Sequence, residues 1–314
     1  RRKYTLDVQN PSAKEVDELN PEEILGTHRA KWQVIDGIAD KLQVALEETL
    51  SHHDNENVKY LTENLHEYLR VSHATSLLRK TVLNLAVSGQ LVPQILSEGT
   101  GEELSQQIEA EKQKLVAKGQ LKKQKVLPGI DQDEAPFMIP DSWKWVRLAS
   151  VTDFSIGRTP SRGESTYWGE DYVPWVSIAD LNAGGHVSKT KESISKTAYD
   201  KCFSSTVVPK GTLLYSFKLT IGKMSILDID AVHNEAIASL RTYSDITTDF
   251  LLKALQAINP LSRTNEAIKG KTLNSGSLSL LEIPFPPLEE QMRIVQKTTQ
   301  LLDLITKLEY QLEK

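Results

Sequence analysis

Apolar residues recur along this chain in two rhythms, and each predicts a different kind of element. From Pro21 the spacing is helical, with Ile24, Ala30, Val34, Ile38, Leu42, Ala45 and Leu46 continuing to about Leu50. Asn20 is placed to cap this helix, Pro21 suits its first position, and Glu22 and Glu23 complement its dipole. A second helical run carries Val58, Leu61, Leu65, Tyr68 and Leu69, then Leu78, Val82, Leu85 and Ala86. It predicts one long helix from about Glu56 to Ser88, stopped by Ser88-Gly89 with Pro93 beyond. Its stripe is narrow and interrupted at Ser72 and Thr75, as in a coiled-coil seam. A shorter charged helix is expected over 101–118, followed by a polar linker over 119–140. Leu288, Met292, Val295, Leu301, Leu302, Ile305, Leu308 and Leu312 predict a closing helix to Lys314. Its most economical seam partner is the 56–88 helix.

From Trp143 the rhythm shortens. Val146 to Ile156, Val173 to Ile178, Val207 to Val208, Leu213 to Phe217, Met224 to Leu227 and Ala236 to Arg241 read as strands between Gly, Pro, Asp and Asn. Helices are expected over 249–259 and 261–268. The fold class is α+β: a mixed α/β domain on a long antiparallel two-helix coiled-coil spacer, with an N-terminal helical segment. The boundaries are 1–55 for an N-terminal helical tail and 56–100 for the first spacer helix and its stop. Residues 101–140 form the charged helix and linker, 141–287 the central domain and 288–314 the second spacer helix. Trp143, Trp145, Trp168 and Trp175 are expected in the core of that domain.

Composition narrows the function. No run approaches the roughly 18 apolar residues of a membrane span. Arg1-Arg2-Lys3-Tyr4 lacks the apolar stretch of a signal peptide, and without an initiator Met the chain is expected to be a piece of a longer one. The lone Cys202 forms no internal disulfide, which fits a reducing cytoplasm. Residues 1–56 hold 7 Lys and Arg against 12 Asp and Glu, so they carry the whole net charge of −5. Local basic surfaces are therefore available further on, at Lys112–Lys125, at Lys210, Lys218 and Lys223, and at Arg263, Lys269 and Lys271. Enzyme signatures are missing. Lys269-Gly270-Lys271-Thr272 ends like a phosphate loop, but Asn265 stands where that loop needs Gly. His52-His53 has no third ligand at a useful spacing, and His186 and His233 are isolated. No metal site and no catalytic residue is expected.

Ordered blocks in the middle of the chain carry a resemblance. They are Trp143-Lys144-Trp145, Gly157-Arg158-Thr159-Pro160-Ser161-Arg162, Tyr167-Trp168-Gly169, Val173-Pro174-Trp175-Val176, Pro209-Lys210-Gly211-Thr212, Ile221-Gly222-Lys223 and His233-Asn234-Glu235-Ala236. Together they resemble the target-recognition domain of type I restriction-modification specificity subunits. Leu78 to Pro93 and Pro286-Pro287-Leu288-Glu289-Glu290-Gln291 resemble that family's spacers. Such subunits usually carry two recognition domains, and here there is one. Tyr4 to Pro11 and Asn20 to Leu25 resemble, more briefly, the tail of the family's methyltransferase subunit, as in a fused single-chain enzyme.

The resemblance implies a non-catalytic DNA-recognition module. Its partners would be double-stranded DNA, a DNA methyltransferase that holds S-adenosylmethionine, an endonuclease, and a second copy where a homodimer forms. Sequence reading needs polar side chains at base edges and basic ones at phosphates. Candidates fall in four groups: Arg158, Thr159, Ser161 and Arg162; Ser177, Asp180 and Asn182; Lys218, Thr220 and Lys223; and Lys269, Lys271 and Thr272. Arg or Lys suits guanine and Asn182 adenine. The competing reading is a coiled-coil adaptor that binds protein only.

Overall fold

The computed structural model describes residues 20–52, 55–121, 127–130, 135–182, 184–258 and 274–313. Helix α1 (Pro21–Leu50) begins as its sequence dictates, the Asn20 side chain accepting from the Glu22 amide at 3.1 Å. The 56–88 stretch is not one helix. It forms α2 (Glu56–Glu63), α3 (Leu65–Tyr68) and α4 (Ala74–Val87). The main break falls where the seam lapses. The Arg70 and Val71 amides fold back onto the Glu67 and Tyr68 carbonyls, and His73 takes a left-handed φ of 67°. Val71 stays exposed at the break, so burial there does not reward continuing the helix. The stop after α4 is as the sequence implies, with Ser88 as cap and Gly89 turning at φ 72°. Helix α5 (Gly101–Ala117) opens on a reciprocal capping box between Thr100 and Glu103.

The central domain follows as β1 (Lys144–Arg147), β2 (Asp153–Ile156), β3 (Trp168–Val176), β4 (Gly185–Val187), β5 (Glu192–Ile194), α6 (Lys196–Phe203), β6 (Leu213–Ser216), β7 (Met224–Leu227), β8 (Val232–His233) and β9 (Ile237–Arg241). Then come α7 (Asp245–Ile258), α8 (Ser275–Ser279), β10 (Glu282–Phe285) and α9 (Leu288–Glu313). The expected 146–156 strand is split by a tight 3-10 turn at Leu148–Ser150. There the chain leaves β1, with the Leu148 amide bonded to Leu281. Val207 to Val208 supplies only a bridge from Val208 to Ala231. The 261–268 segment lies outside the described residues.

Five strands form one sheet in the order β2-β9-β6-β7-β4, and three form another in the order β5-β3-β8. All pairs of the larger sheet are antiparallel except β4 with β7. Strands β1 and β10 pair as a separate antiparallel ribbon, Lys144 opposite Phe285 and Arg147 opposite Glu282. Arg147 locks this ribbon. Its guanidinium donates to the carbonyls of Leu280 and Gly129, each at 2.9 Å, and to the Glu282 carboxylate at 2.5 Å.

The closing helix also differs from its expected role. Helix α9 packs against α1, α4 and α7, so it is one of four associated helices and not half of a two-helix seam. A two-helix seam would leave Phe250, Leu251, Ala254 and Leu255 of α7 in water, and all four are buried. One core runs from Ile35 of α1 through Leu78, Phe250 and Leu301 to Leu213 and Tyr215 in the sheet. The central domain and the helices share this core, which joins the sheet to them.

Candidate nucleic-acid interface

Strand direction gathers the candidate residues. Ile156 is opposite Ala238, Ser216 opposite Ile237, Tyr215 opposite Met224, and Gly185 opposite Ser225. The C-terminal ends of β2 and β6 therefore lie beside the N-terminal ends of β9, β7 and β4. Three of the turns at that end of the sheet bear residues from the sequence groups, and the turn before β9 bears Glu235. After β2 come Arg158 to Arg162, between β6 and β7 come Lys218 to Lys223, and before β4 comes Asn182.

Direct bonds tie these turns together. The Arg158 amide donates to the His233 carbonyl at 2.8 Å, and its guanidinium reaches the Cys202 carbonyl at 3.3 Å. The Thr159 hydroxyl donates to the Glu235 carboxylate. That hydrogen bond, aided by Lys218 nearby, holds the Glu235 carboxyl below the usual carboxylate range. Arg158, Thr159, Lys218 and Glu235 thus form one exposed polar cluster. Gly157 allows the close approach, because a Cβ there would lie 2.0 Å from the His233 carbonyl oxygen.

Arg162 has another setting. Its guanidinium carbon lies 3.8 Å from the Trp168 ring centre and 4.9 Å from that of Trp175, and its Nη2 donates to Glu192 at 2.9 Å. The two indoles stack edge to face at 5.1 Å. The Trp168 indole N–H donates to the Ser161 carbonyl at 3.1 Å and that of Trp175 to the Arg158 carbonyl at 3.0 Å. Arg162 and Ser161 therefore help to shape the loop that presents Arg158 and Thr159. Trp143 and Trp175 are buried as expected, whereas Trp145 and Trp168 are half-buried.

Ser177 and Asp180 spend their polar atoms on each other. The Ser177 amide and hydroxyl donate to Asp180 at 2.8 and 2.6 Å, and the Lys191 amide donates to its other oxygen at 3.1 Å. Asn182 is exposed, its amide group giving one bond to the His186 carbonyl at 3.2 Å. Thr220 is exposed, and half-buried Lys223 gives its backbone N–H to Ser216 at 2.9 Å. Lys269, Lys271 and Thr272 lie outside the described residues.

Two members of this surface escaped the sequence reading as site residues. Glu235 meets Thr159 across 76 positions, a separation that no local pattern reveals. Leu219 is apolar and so fell outside a search for polar readers. Behind the turns, His233 is buried, and burial pushes its imidazole down to about 4. A base lowered in the folded state binds its proton more readily when unfolded. Stability is therefore full above the unfolded value near 6.5 and declines as pH falls toward about 4. Thermal melts from pH 7 to pH 4 should show this decline flattened in His233→Gln, and parallel curves would contradict it.

The turns form a surface of polar side chains and no catalytic constellation. Among the described residues, no group of three or more His, Cys, Asp or Glu is placed to hold a metal ion. A family model, the type I restriction modification DNA specificity domain, matches residues 140–314, more than half of the chain. The chain belongs to this family.

The matched segment of this specificity-domain protein runs from just before β1 to the end of α9 and so takes in every turn described above. Two relatives agree. The chain is 31% identical over 253 residues to the type I restriction enzyme EcoAI specificity subunit of Escherichia coli. It is 28% identical over 254 residues to the EcoEI specificity subunit of the same organism. Each match covers 74% of this chain and 40% of the relative. The crystal structure of the HsdS subunit from Thermoanaerobacter tengcongensis aligns with a TM-score of 0.44 at 20% identity, covering 81% of this chain and 53% of that one.

Proposed function

We propose that this chain reads a DNA sequence on behalf of a DNA methyltransferase and catalyses no reaction itself. The observation that carries the proposal is the collection of Arg158, Thr159, Asn182, Lys218, Thr220 and Lys223 at one end of one sheet. Arg and Lys there suit phosphates and guanine, and Asn182 suits adenine. The S-adenosylmethionine chemistry would belong to the methyltransferase, and an endonuclease would join the same assembly. One recognition domain would read one half-site of a few base pairs. A bipartite target would take a second copy, as a homodimer, or a fused enzyme would read one continuous site. The cytoplasm would house such an assembly. Among the described residues no helix is long and apolar enough to cross a membrane.

The test is selection from randomised duplex DNA by the full chain, alone and with a type I methyltransferase subunit, at low and moderate salt. One short sequence should be enriched, with affinity falling as salt rises. Lys218→Ala should cost about 1–3 kcal/mol at one base position if the lysine reads a base, or lower the salt slope by about 1 if it holds a phosphate. A protein-only adaptor would be indifferent to the change. No enrichment in either preparation would sink the proposal.

A further inference from the structure

The turn between β6 and β7 holds a leucine where a leucine is costly. Leu219 is 89% exposed and sits at φ 61°. The left-handed region costs a residue with a side chain about 1–2 kcal/mol. The cost is not recovered by packing, because the side chain stands in solvent. Glycine would remove it, and the same turn does use glycine at Gly222, where φ is 89°.

The turn is braced to hold Leu219 in that position. The Ser216 hydroxyl lies 2.5 Å from the Thr220 carbonyl and 3.2 Å from that of Lys223, and it accepts from the Lys223 amide at 2.9 Å. The Gly222 amide donates to the Ser216 carbonyl at 2.9 Å. Phe217 is buried at the base of the turn, with the Lys218 ammonium 5.5 Å from its ring centre. The turn is therefore held by its own hydrogen bonds, and at its tip Leu219 stands in solvent whereas Phe217 is buried and Ile221 half-buried.

Its neighbours indicate what it meets. Strands β6 and β7 are interior to the five-stranded sheet, so their turn stands between the Arg158, Thr159 and Glu235 cluster on one side and Asn182 on the other. An apolar point within a polar and basic rim matches duplex DNA, whose phosphates and base edges surround an apolar stack. Apolar wedges of this kind enter base steps and partly unstack them.

We propose that Leu219 is a wedge that enters the DNA base stack beside the sequence being read. The inference rests on the DNA-reading proposal above and adds a residue that acts by deforming the duplex. Strain and exposure, tolerated together on a braced tip, are the features it accounts for.

The experiment compares wild type with Leu219→Gly and Leu219→Met, using the duplex that wild type enriches and placing 2-aminopurine at each position in turn. Wild type should raise the fluorescence at one step. Leu219→Met should retain that rise, and Leu219→Gly should abolish it and bind on the order of tenfold more weakly. In thermal melts Leu219→Gly should match or exceed wild type, because glycine relieves the backbone. All three are measured in the same preparation, so a base rotated out by a methyltransferase would contribute equally to each. Identical fluorescence profiles, or a lower melting temperature for Leu219→Gly, would overturn the wedge. Enrichment without any rise for wild type would overturn it and leave DNA reading intact, whereas absence of enrichment removes the DNA-reading proposal itself.

Discussion

Replacing Gly157 with Ala is expected to destabilise the recognition domain by about 3 kcal/mol or more. The added Cβ would lie 2.0 Å from the His233 carbonyl oxygen, 2.4 Å from that of Asn234 and 2.4 Å from the His233 ring. Two of these neighbours are backbone and the third is a buried imidazole, so no flexible side-chain end can swing aside. The clash falls one residue before the bond from the Arg158 amide to the His233 carbonyl. Relieving it must separate β2 from the turn before β9, and the Thr159 to Glu235 contact would go with it. Urea unfolding should show a lower midpoint, and selection from randomised DNA should show weakened enrichment even where the protein remains folded. A variant within about 1 kcal/mol of wild type would mean that the turn shifts without resistance.

Arg147→Ala should cost about 3–5 kcal/mol, the range for removing one partner of a buried ion pair. The Arg147 side chain is only 9% exposed and Glu282 19%, so solvent cannot replace what is lost. The change removes the cation beside the Glu282 carboxylate and leaves the carbonyls of Gly129 and Leu280 without this donor. Charge burial is the source of the cost, which gives the prediction a second arm. Arg147→Met combined with Glu282→Leu removes both charges and should be less destabilising than either single change. Denaturant midpoints for the four proteins of this cycle decide the matter. A single-variant cost below about 1 kcal/mol would place the pair with weakly coupled surface ion pairs.

The sequence was most legible where one local rule decides the outcome. Asn20-Pro21 starts α1, Gly89 ends α4, and the apolar spacing of α9 runs unbroken from Leu288. It was least legible where the gain comes from distant partners. Strands β4, β5 and β8 have three, three and two residues, too few for alternation to register. The 56–88 helix was overextended because apolar spacing resumes in phase beyond Ser72, while the break itself depends on the His73 backbone. Pairwise periodicity gives α9 a single seam partner, because it cannot show that α1 and α7 also need covering. In the candidate interface, charge and loop position single out Arg158, Thr159 and Lys218 as candidates. Tertiary pairing alone separates these from Ser177 and Asp180, which satisfy each other within their own turn.

The β1–β10 ribbon brings the start and finish of the recognition domain side by side, with Lys144 opposite Phe285. The neck of the segment between Arg147 and Glu282 is thereby closed, in addition to the packing of α7 on α4 and α9. Residues added to or removed from the turns of the candidate interface alter the perimeter of a loop whose neck is already fastened. Closing a longer loop costs only about 0.6 kcal/mol per doubling. The turns of the candidate interface can thus change in size and composition while the neck and the packing of α7 on α4 and α9 stay as they are.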